Sequence, residues 1–494
     1  MTKKVSILRL NTGVPGLDSV LGGGIPEFSF NIIVGPPGSG KTTLAHQLMF
    51  HLATPEHPAL FFTVLGEPPL KMLRYQQQFS YFDLARINDS IHFINLNDEL
   101  ETGNLHHVLQ RISKEVETYS PGVVFIDSFR SAVLENKQPT HGNLGLQEFI
   151  QQLGMQMSSW QATTFLIGEL FNETSLHPVF TVADGLIALS QTFHRNSMVR
   201  QINILKMRGQ PTSPGMHTFR ITDEGLQVFP SAVTHDDSAP SIRKNKTTHT
   251  EVRLPMGVAG LDDMLGGGLP SGYSLLIAGP SGSGKTILAT AFLSEGVKQG
   301  EAGIIVAFEQ TPSQSWNHNI DEMVTAGQIG LINTRSLDLS IDEIVQQLID
   351  LIHKMKAKRV VIDSLSGFEL AVAPTFREDF RESLFRMIAV LSGLGVSVLM
   401  TSELEDRYTD LRFSPYGSAF LTDAIIVQRY IEVESHLKRV MAVVKVRASQ
   451  HSKEIREYDI DDDGITIGPP VLDYEGLLGG RPTLRQSNNK LNRE

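Results

Sequence analysis

The sequence predicts an α/β fold built twice along one chain, each copy a mainly parallel sheet flanked by helices. Three observations predict it. The 494-residue chain repeats itself at a nearly constant spacing. In each copy, short runs rich in Val, Ile and Phe alternate with longer amphipathic stretches, as in a sheet covered by helices on both faces. In each copy the first long apolar run leads into a glycine-rich turn and then a helical pattern.

The repeat fixes the domain organisation. Leu21-Gly22-Gly23-Gly24-Ile25-Pro26 returns as Leu265-Gly266-Gly267-Gly268-Leu269-Pro270. Gly35-Pro36-Pro37-Gly38-Ser39-Gly40-Lys41-Thr42 returns as Gly279-Pro280-Ser281-Gly282-Ser283-Gly284-Lys285-Thr286, and both offsets are 244 (265 − 21, 279 − 35). Val124-Phe125-Ile126-Asp127-Ser128 returns as Val360-Val361-Ile362-Asp363-Ser364, and Lys206-Met207-Arg208 as Lys445-Val446-Arg447. Order and spacing together indicate one ancestral domain present twice. The expected domains are 1–234 and 251–470, joined by a polar linker at 235–250. A loose tail is expected at 471–494.

The strands expected in order are Phe30–Val34, Ala59–Val64, Val123–Ile126 and Thr163–Ile167 in the first copy. In the second they are Ser274–Ala278, Gly303–Phe308, Arg359–Ile362 and Val396–Met400.

Composition narrows the function. Hydrophobic residues make up 41% and charged residues 20%, an ordinary globular balance. Lys plus Arg number 43 and Asp plus Glu 54, a net charge of −11 that argues against wrapping nucleic acid. With no cysteine, disulfides, thiolate–zinc sites and thiol catalysis are excluded. No apolar run approaches the ~18 residues of a membrane span, and Met1–Leu10 lacks the apolar core of a signal peptide. The expected location is the cytoplasm.

Both glycine-rich turns fit Gly-x-x-x-x-Gly-Lys-[Ser/Thr] between a strand and a helix, the context this motif requires. Glycines let backbone N–H groups converge on a phosphate, and the helix N-terminus adds its dipole. The expected phosphate-binding residues are therefore Gly35, Pro36, Pro37, Gly38, Ser39, Gly40, Lys41, Thr42 and Thr43, and Gly279, Pro280, Ser281, Gly282, Ser283, Gly284, Lys285, Thr286 and Ile287. The lysines reach terminal phosphates. Thr42 with Asp127, and Thr286 with Asp363, are expected to hold Mg2+, each aspartate standing at the exit of a buried strand.

Hydrolysis further requires a carboxylate to orient the attacking water. Glu309 follows a strand end 24 residues after Lys285 (309 − 285), and Glu67 stands 26 after Lys41 (67 − 41). Lys206 and Arg208, and likewise Lys445 and Arg447, alternate on a strand and so share one face. Their recurrence points to cationic fingers reaching a γ-phosphate held by a neighbouring subunit. Glu169 and Glu403, each after a buried strand, are candidate γ-phosphate sensors or subunit contacts.

At these residues the sequence resembles the KaiC family of double-domain RecA-like ATPases, the circadian clock ATPase and autokinase. The resemblance covers roughly residues 10–470. It is carried by Thr12-Gly13-Val14-Pro15-Gly16-Leu17-Asp18, Gly22-Gly23-Gly24-Ile25-Pro26, the phosphate loops, Ile126-Asp127-Ser128 and Ile204-Leu205-Lys206-Met207-Arg208-Gly209. In the second half, Gly257 to Pro270, Ala307-Phe308-Glu309, Asp363-Ser364 and Lys445-Val446-Arg447 match. The resemblance implies two tandem RecA-like P-loop NTPase domains, ATP and Mg2+ as cofactors, and a homohexamer of two stacked rings with nucleotide at each subunit interface. It implies slow hydrolysis in the first ring, phosphorylation of an adjacent Ser-Thr pair in the second, and a small KaiB-like regulatory partner. Glu309 would match the second ring's general base, and the two Lys/Arg pairs the trans-acting cations.

Two departures stand out. The family's paired glutamates appear here as Glu309-Gln310 and as Leu65-Gly66-Glu67. The phosphorylated pair, counted back from Thr422-Asp423-Ala424-Ile425-Ile426, falls on Ala419-Phe420, which have no hydroxyl. Ser418 and Thr422 flank that position. The reading is an ATP-hydrolysing hexameric switch that docks partners according to its nucleotide. The alternatives are an autokinase with a displaced acceptor, a nucleotide-gated scaffold with an inactive first ring, and a DNA-dependent motor.

Overall fold

The apolar run Phe30–Val34 becomes the central strand of a nine-stranded sheet, with all five residues buried. Its counterpart Ser274–Gly279 is equally buried at the centre of a second nine-stranded sheet. The chain divides into two units, Met1–Val233 and Thr234–Glu494. The computed structural model describes residues 7–63, 69–101, 105–127, 146–169, 178–194, 197–231, 252–308, 318–333, 339–404, 421–462, 464–472, 474–479 and 483–484.

In the first unit the strand order is Ile91–Asn95, Ala59–Thr63, Val123–Asp127, Thr163–Gly168, Phe30–Val34, Gly185–His194, Ser197–Met207, His217–Thr222, Gly225–Phe229. Neighbours run parallel from Ile91–Asn95 through Gly185–His194, then antiparallel to the end. The second unit repeats the order: Ile329–Asn333, Gly303–Ala307, Arg359–Asp363, Ser397–Glu403, Ser274–Gly279, Ala424–Val433, His436–Val446, Ile455–Asp461, Gly464–Pro470. The expected α/β class, duplicated, is what the chain adopts. The expected strands are all present within one to three residues at either end.

Alternation divides the first core between the two sheet faces. Phe62, Val124 and Leu166 face a cluster with Val108 and Ile112 of the helix Leu105–Tyr119 and Leu153 of Leu146–Ser159. Phe61, Phe125 and Phe165 face the opposite cluster with Leu44 and Leu48 of the helix Lys41–Leu52. Phe125 and Phe165 stack there at 4.9 Å between ring centroids. Strands buried on both faces show no polar alternation, which is why they read as continuous apolar runs.

Residues 471–472 and 474–479 belong to the segment 471–494 expected to be loose, and they are not free of the fold. Leu477 is buried and packs on Ile431, Val433 and Val440. Val471 and Tyr474 pack against the same cluster.

Candidate nucleotide sites

Each central strand delivers the chain into a phosphate loop and then a helix, Lys41–Leu52 in the first unit and Lys285–Lys298 in the second. Gly40 and Gly284, the residues before those helices, have φ of 99° and 91°. Side chains rarely adopt this left-handed region, so the motif's second glycine is required by the turn. Helix N-termini present unpaired N–H groups, and here they open beside the loop.

Both loop lysines fold over their own loops. Lys41 Nζ donates to the carbonyls of Gly35 and Pro36 at 2.8 and 2.9 Å. Lys285 Nζ donates to those of Gly279 and Pro280 at 2.9 and 2.7 Å. Burial lowers the Lys41 pKa, and the charges of Glu169 and Asp127 oppose that shift. Glu169 therefore lies within electrostatic reach of the first loop. Glu403 pairs in register with Gly279, where the second loop begins.

In each unit the threonine after the loop lysine meets a strand-end aspartate. Thr42 Oγ1 donates to Asp127 Oδ2 at 2.8 Å, and Thr286 Oγ1 to Asp363 Oδ2 at 2.8 Å. Asp127 is buried, and burial pushes its carboxyl up to about 6. The Thr42 hydrogen bond and the Lys41 charge pull it down, and Glu169 adds to the rise. A threonine hydroxyl and a carboxylate, both hard oxygen donors beside a phosphate loop, fit Mg2+ and its phosphate ligands.

The Lys/Arg pairs lie elsewhere in each unit. In the first, Lys206 is opposite Leu186 and the next pair is Ile204 with Ile187, so Leu205 is the extra residue of a β-bulge. In the second, Lys445 is opposite Ile425 and Val443 opposite Ile426, so Val444 is the extra residue at the equivalent place. A bulge re-aims the side chains that follow it. The strict alternation expected around Leu205 is thereby broken.

Arg208 Nη1 meets Asp184 Oδ1 at 3.0 Å, and Asp184 Oδ2 accepts from the backbone N–H of Phe30 at 3.1 Å. Arg447 meets Asp423 at 3.4 Å, and Asp423 Oδ2 accepts from the N–H and hydroxyl of Ser274, each at 3.2 Å. Lys206 Nζ reaches the carbonyls of Phe180 and Thr181, and Lys445 Nζ that of Thr422. Burial lowers both lysine pKa values, and the neighbouring arginine in each pair lowers them further. Both arginines are thus held at the beginning of the central strand, while the phosphate loop leaves from its end. Five residues at ~3.3 Å each put ~16 Å between them along the strand.

Glu67 and Glu309, the expected water-orienting carboxylates, lie outside the described residues. So do Ser418, Ala419 and Phe420. Thr422 is described and is fully buried. Asp184 and Asp423 were not singled out in the sequence, although they recur at 239 residues (423 − 184), as do the cations they hold. Five further residues touch the loops or their aspartates, among them Tyr430, whose hydroxyl donates to the Ser281 carbonyl at 3.4 Å. Gln191 donates to the Pro37 carbonyl at 3.1 Å, and Tyr458 to that of Ser283 at 2.6 Å. Gln428 accepts from the Ser283 hydroxyl at 3.0 Å, and Thr401 donates to Asp363 Oδ1. They come from distant strands, and no local spacing marks them.

Two mainly parallel nine-stranded sheets, one in each unit and each with a lysine-bearing phosphate loop and a Thr–Asp pair, define a tandem P-loop ATPase. A family model described as the KaiC ATPase matches residues 10–233 and again 254–471. The chain belongs to the KaiC ATPase family. It is 26% identical over 492 residues to the circadian clock oscillator protein KaiC of Rippkaea orientalis, spanning 97% of this chain and 92% of that one. It is 27% identical over 496 residues to the circadian clock oscillator protein KaiC 1 of Synechocystis sp., spanning 97% and 92%. Against the circadian clock protein KaiC3 of the same organism it is 26% identical over 499 residues, spanning 96% and 95%. Among the described residues no helix is long and apolar enough to cross a membrane.

Proposed function

We propose that this ATPase works as a homohexameric switch with two Mg-ATP sites per chain, each completed by the Lys/Arg pair of a neighbouring subunit. The observation that carries this reading is the ~16 Å between each loop and its own chain's arginine. An arginine side chain held by an aspartate at the far end of the strand does not serve its own loop. In a ring, the same end faces the next subunit's loop, the trans arrangement in which an arginine neutralises charge on a transferring phosphoryl group.

Within a site, Lys41 or Lys285 and the loop N–H groups hold the phosphates, and Thr42 with Asp127 or Thr286 with Asp363 hold the metal. Magnesium, when bound, neutralises charge on the β- and γ-oxygens. Glu309, and less directly the displaced Glu67, orient the attacking water. Clock-type autophosphorylation is not part of the proposal. The acceptor position carries Ala419-Phe420, and the flanking Thr422 is buried. Docking of a small KaiB-like protein in one nucleotide state is the proposed output, resting on kinship alone.

The test combines mass and turnover. Light scattering with Mg-ATP is expected to give six subunits. With γ-labelled ATP, Lys285→Ala and Lys41→Ala are each expected to remove part of the phosphate release, and no label is expected to remain on the protein. A monomer that hydrolyses ATP at full rate would overturn the proposal, and labelled protein would restore the autokinase. If Lys285→Ala alone abolishes turnover, the first ring is the nucleotide-gated scaffold that Leu65-Gly66 suggests.

A further inference from the structure

The two phosphate loops share their backbone course and differ in what holds them. Strand registers make the comparison direct. Ile33 pairs with Ile167 as Ile277 pairs with Thr401. Leu189 follows Ala188, the partner of Val34, as Gln428 follows Val427, the partner of Ala278. Phe219 pairs with Val228 as Tyr458 pairs with Ile467, on the last two strands of each sheet. At all three places the first unit is apolar and the second polar.

The polar residues all act on the nucleotide-binding elements. Gln428, fully buried, accepts from the hydroxyl of Ser283. Tyr458 donates to the carbonyl of the same Ser283, and burial pushes its phenol up, so it stays a donor. Thr401 donates to the Asp363 oxygen that Thr286 leaves free. In the first unit, Ser39 Oγ is buried with no hydrogen-bond partner among the described residues. Phe219 lies beside Gly40 there, while Ile221 beside Gly40 is matched by Ile460 beside Gly284 and is common to both units. Gln191 and Tyr430 are not part of the difference, since each donates to a loop carbonyl of its own unit.

We propose that Thr401, Gln428 and Tyr458 form a polar clamp that fixes the second phosphate loop and its aspartate, and that the first site, built without it, exchanges nucleotide faster. Hydrogen bonds tie a loop to one geometry, whereas apolar contact tolerates sliding. These are positioning residues, acting through Ser283 and Asp363. The proposal rests on both loops being nucleotide sites.

The test replaces the clamp by the first unit's own residues. Full-length Lys41→Ala protein, with only the second site able to bind, is compared with the same protein carrying Thr401→Ile, Gln428→Leu and Tyr458→Phe. Release of a fluorescent ADP analogue is followed by stopped flow, with the half-saturating Mg2+ concentration measured alongside. Release is expected to accelerate about tenfold, the size of one or two lost hydrogen bonds, and the Mg2+ requirement to rise. Thermal stability should change little, because the first unit folds with these residues. The reciprocal Ile167→Thr, Leu189→Gln, Phe219→Tyr in Lys285→Ala protein is expected to slow release. Unchanged release and Mg2+ dependence in both series would overturn the clamp alone. No analogue bound by the Lys41→Ala parent would overturn the second site as a nucleotide site, and the clamp with it.

Discussion

Asp423 joins Arg447 to the first residue of the central strand. One carboxylate oxygen faces the guanidinium at 3.4 Å, and the other accepts from Ser274. Asp184 does the same for Arg208 through Phe30. The arginine side chains remain well exposed, at 60% for Arg208 and 44% for Arg447, as the proposed trans role requires. The ion pairs are exposed on the arginine side and contribute little to stability, and an asparagine at 423 keeps an oxygen to accept from Ser274.

Replacing Asp423 by Asn is therefore expected to lower second-site turnover about tenfold, with little change in nucleotide affinity or melting temperature. Steady-state hydrolysis and equilibrium binding on one preparation separate the two. Equal losses in both would assign Asp423 a structural role.

The first site carries its own pH dependence. Burial raises Asp127 to about 6, above its ordinary value of 3.8. Between these values the folded unit holds a proton that the unfolded chain has released, so stability without nucleotide falls as pH rises from about 4 to 6. Metal binding requires the carboxylate, so Mg-nucleotide affinity at the first site is expected to fall as pH drops below about 6. Titration calorimetry in Lys285→Ala protein between pH 5 and 8 measures both affinity and proton release. A flat affinity over that range would contradict the role of Asp127.

His46 gives the first unit an acid limit. It is fully buried on the helix Lys41–Leu52 against Phe61 at 4.7 Å, and burial lowers its pKa to about 4. As pH falls from 6.5 toward 4 the unfolded chain gains a proton that the folded unit refuses, and stability drops by up to ~3 kcal/mol. Thr290 stands at the matching position of the second unit (290 − 46 = 244). His46→Thr is expected to cost some stability at neutral pH while flattening the acid slope, as followed by denaturant unfolding at several pH values. An unchanged slope would place the titrating group elsewhere.

Much of this was legible in the sequence. Phe30–Val34 and Ser274–Gly279 announced themselves as buried apolar runs, and glycines at obligatory left-handed positions marked the loops after them. Thr42 and Asp127 could be paired because the motif sets Thr42 in the first turn of the helix after the loop, and Asp127 ends a buried strand of the same sheet, one strand removed from the central one. Thr401, Gln428 and Tyr458 could not, because a contact made across three strands leaves no periodic signal. The bulges at Leu205 and Val444 were also hidden. An extra residue in a strand is visible only against the partner it fails to pair with.

Subunit mixing tests the central claim most directly. Lys41→Ala with Lys285→Ala in one chain removes both loops but leaves all four cations. Arg208→Ala with Arg447→Ala in another removes the fingers but leaves both loops. Each protein alone is expected to be nearly inactive, since losing such an arginine costs on the order of 10³ in rate. Mixed and reassembled, they are expected to regain turnover at interfaces where an intact loop meets an intact finger. Two inactive parents that stay inactive in verified mixed hexamers would contradict sites shared between subunits.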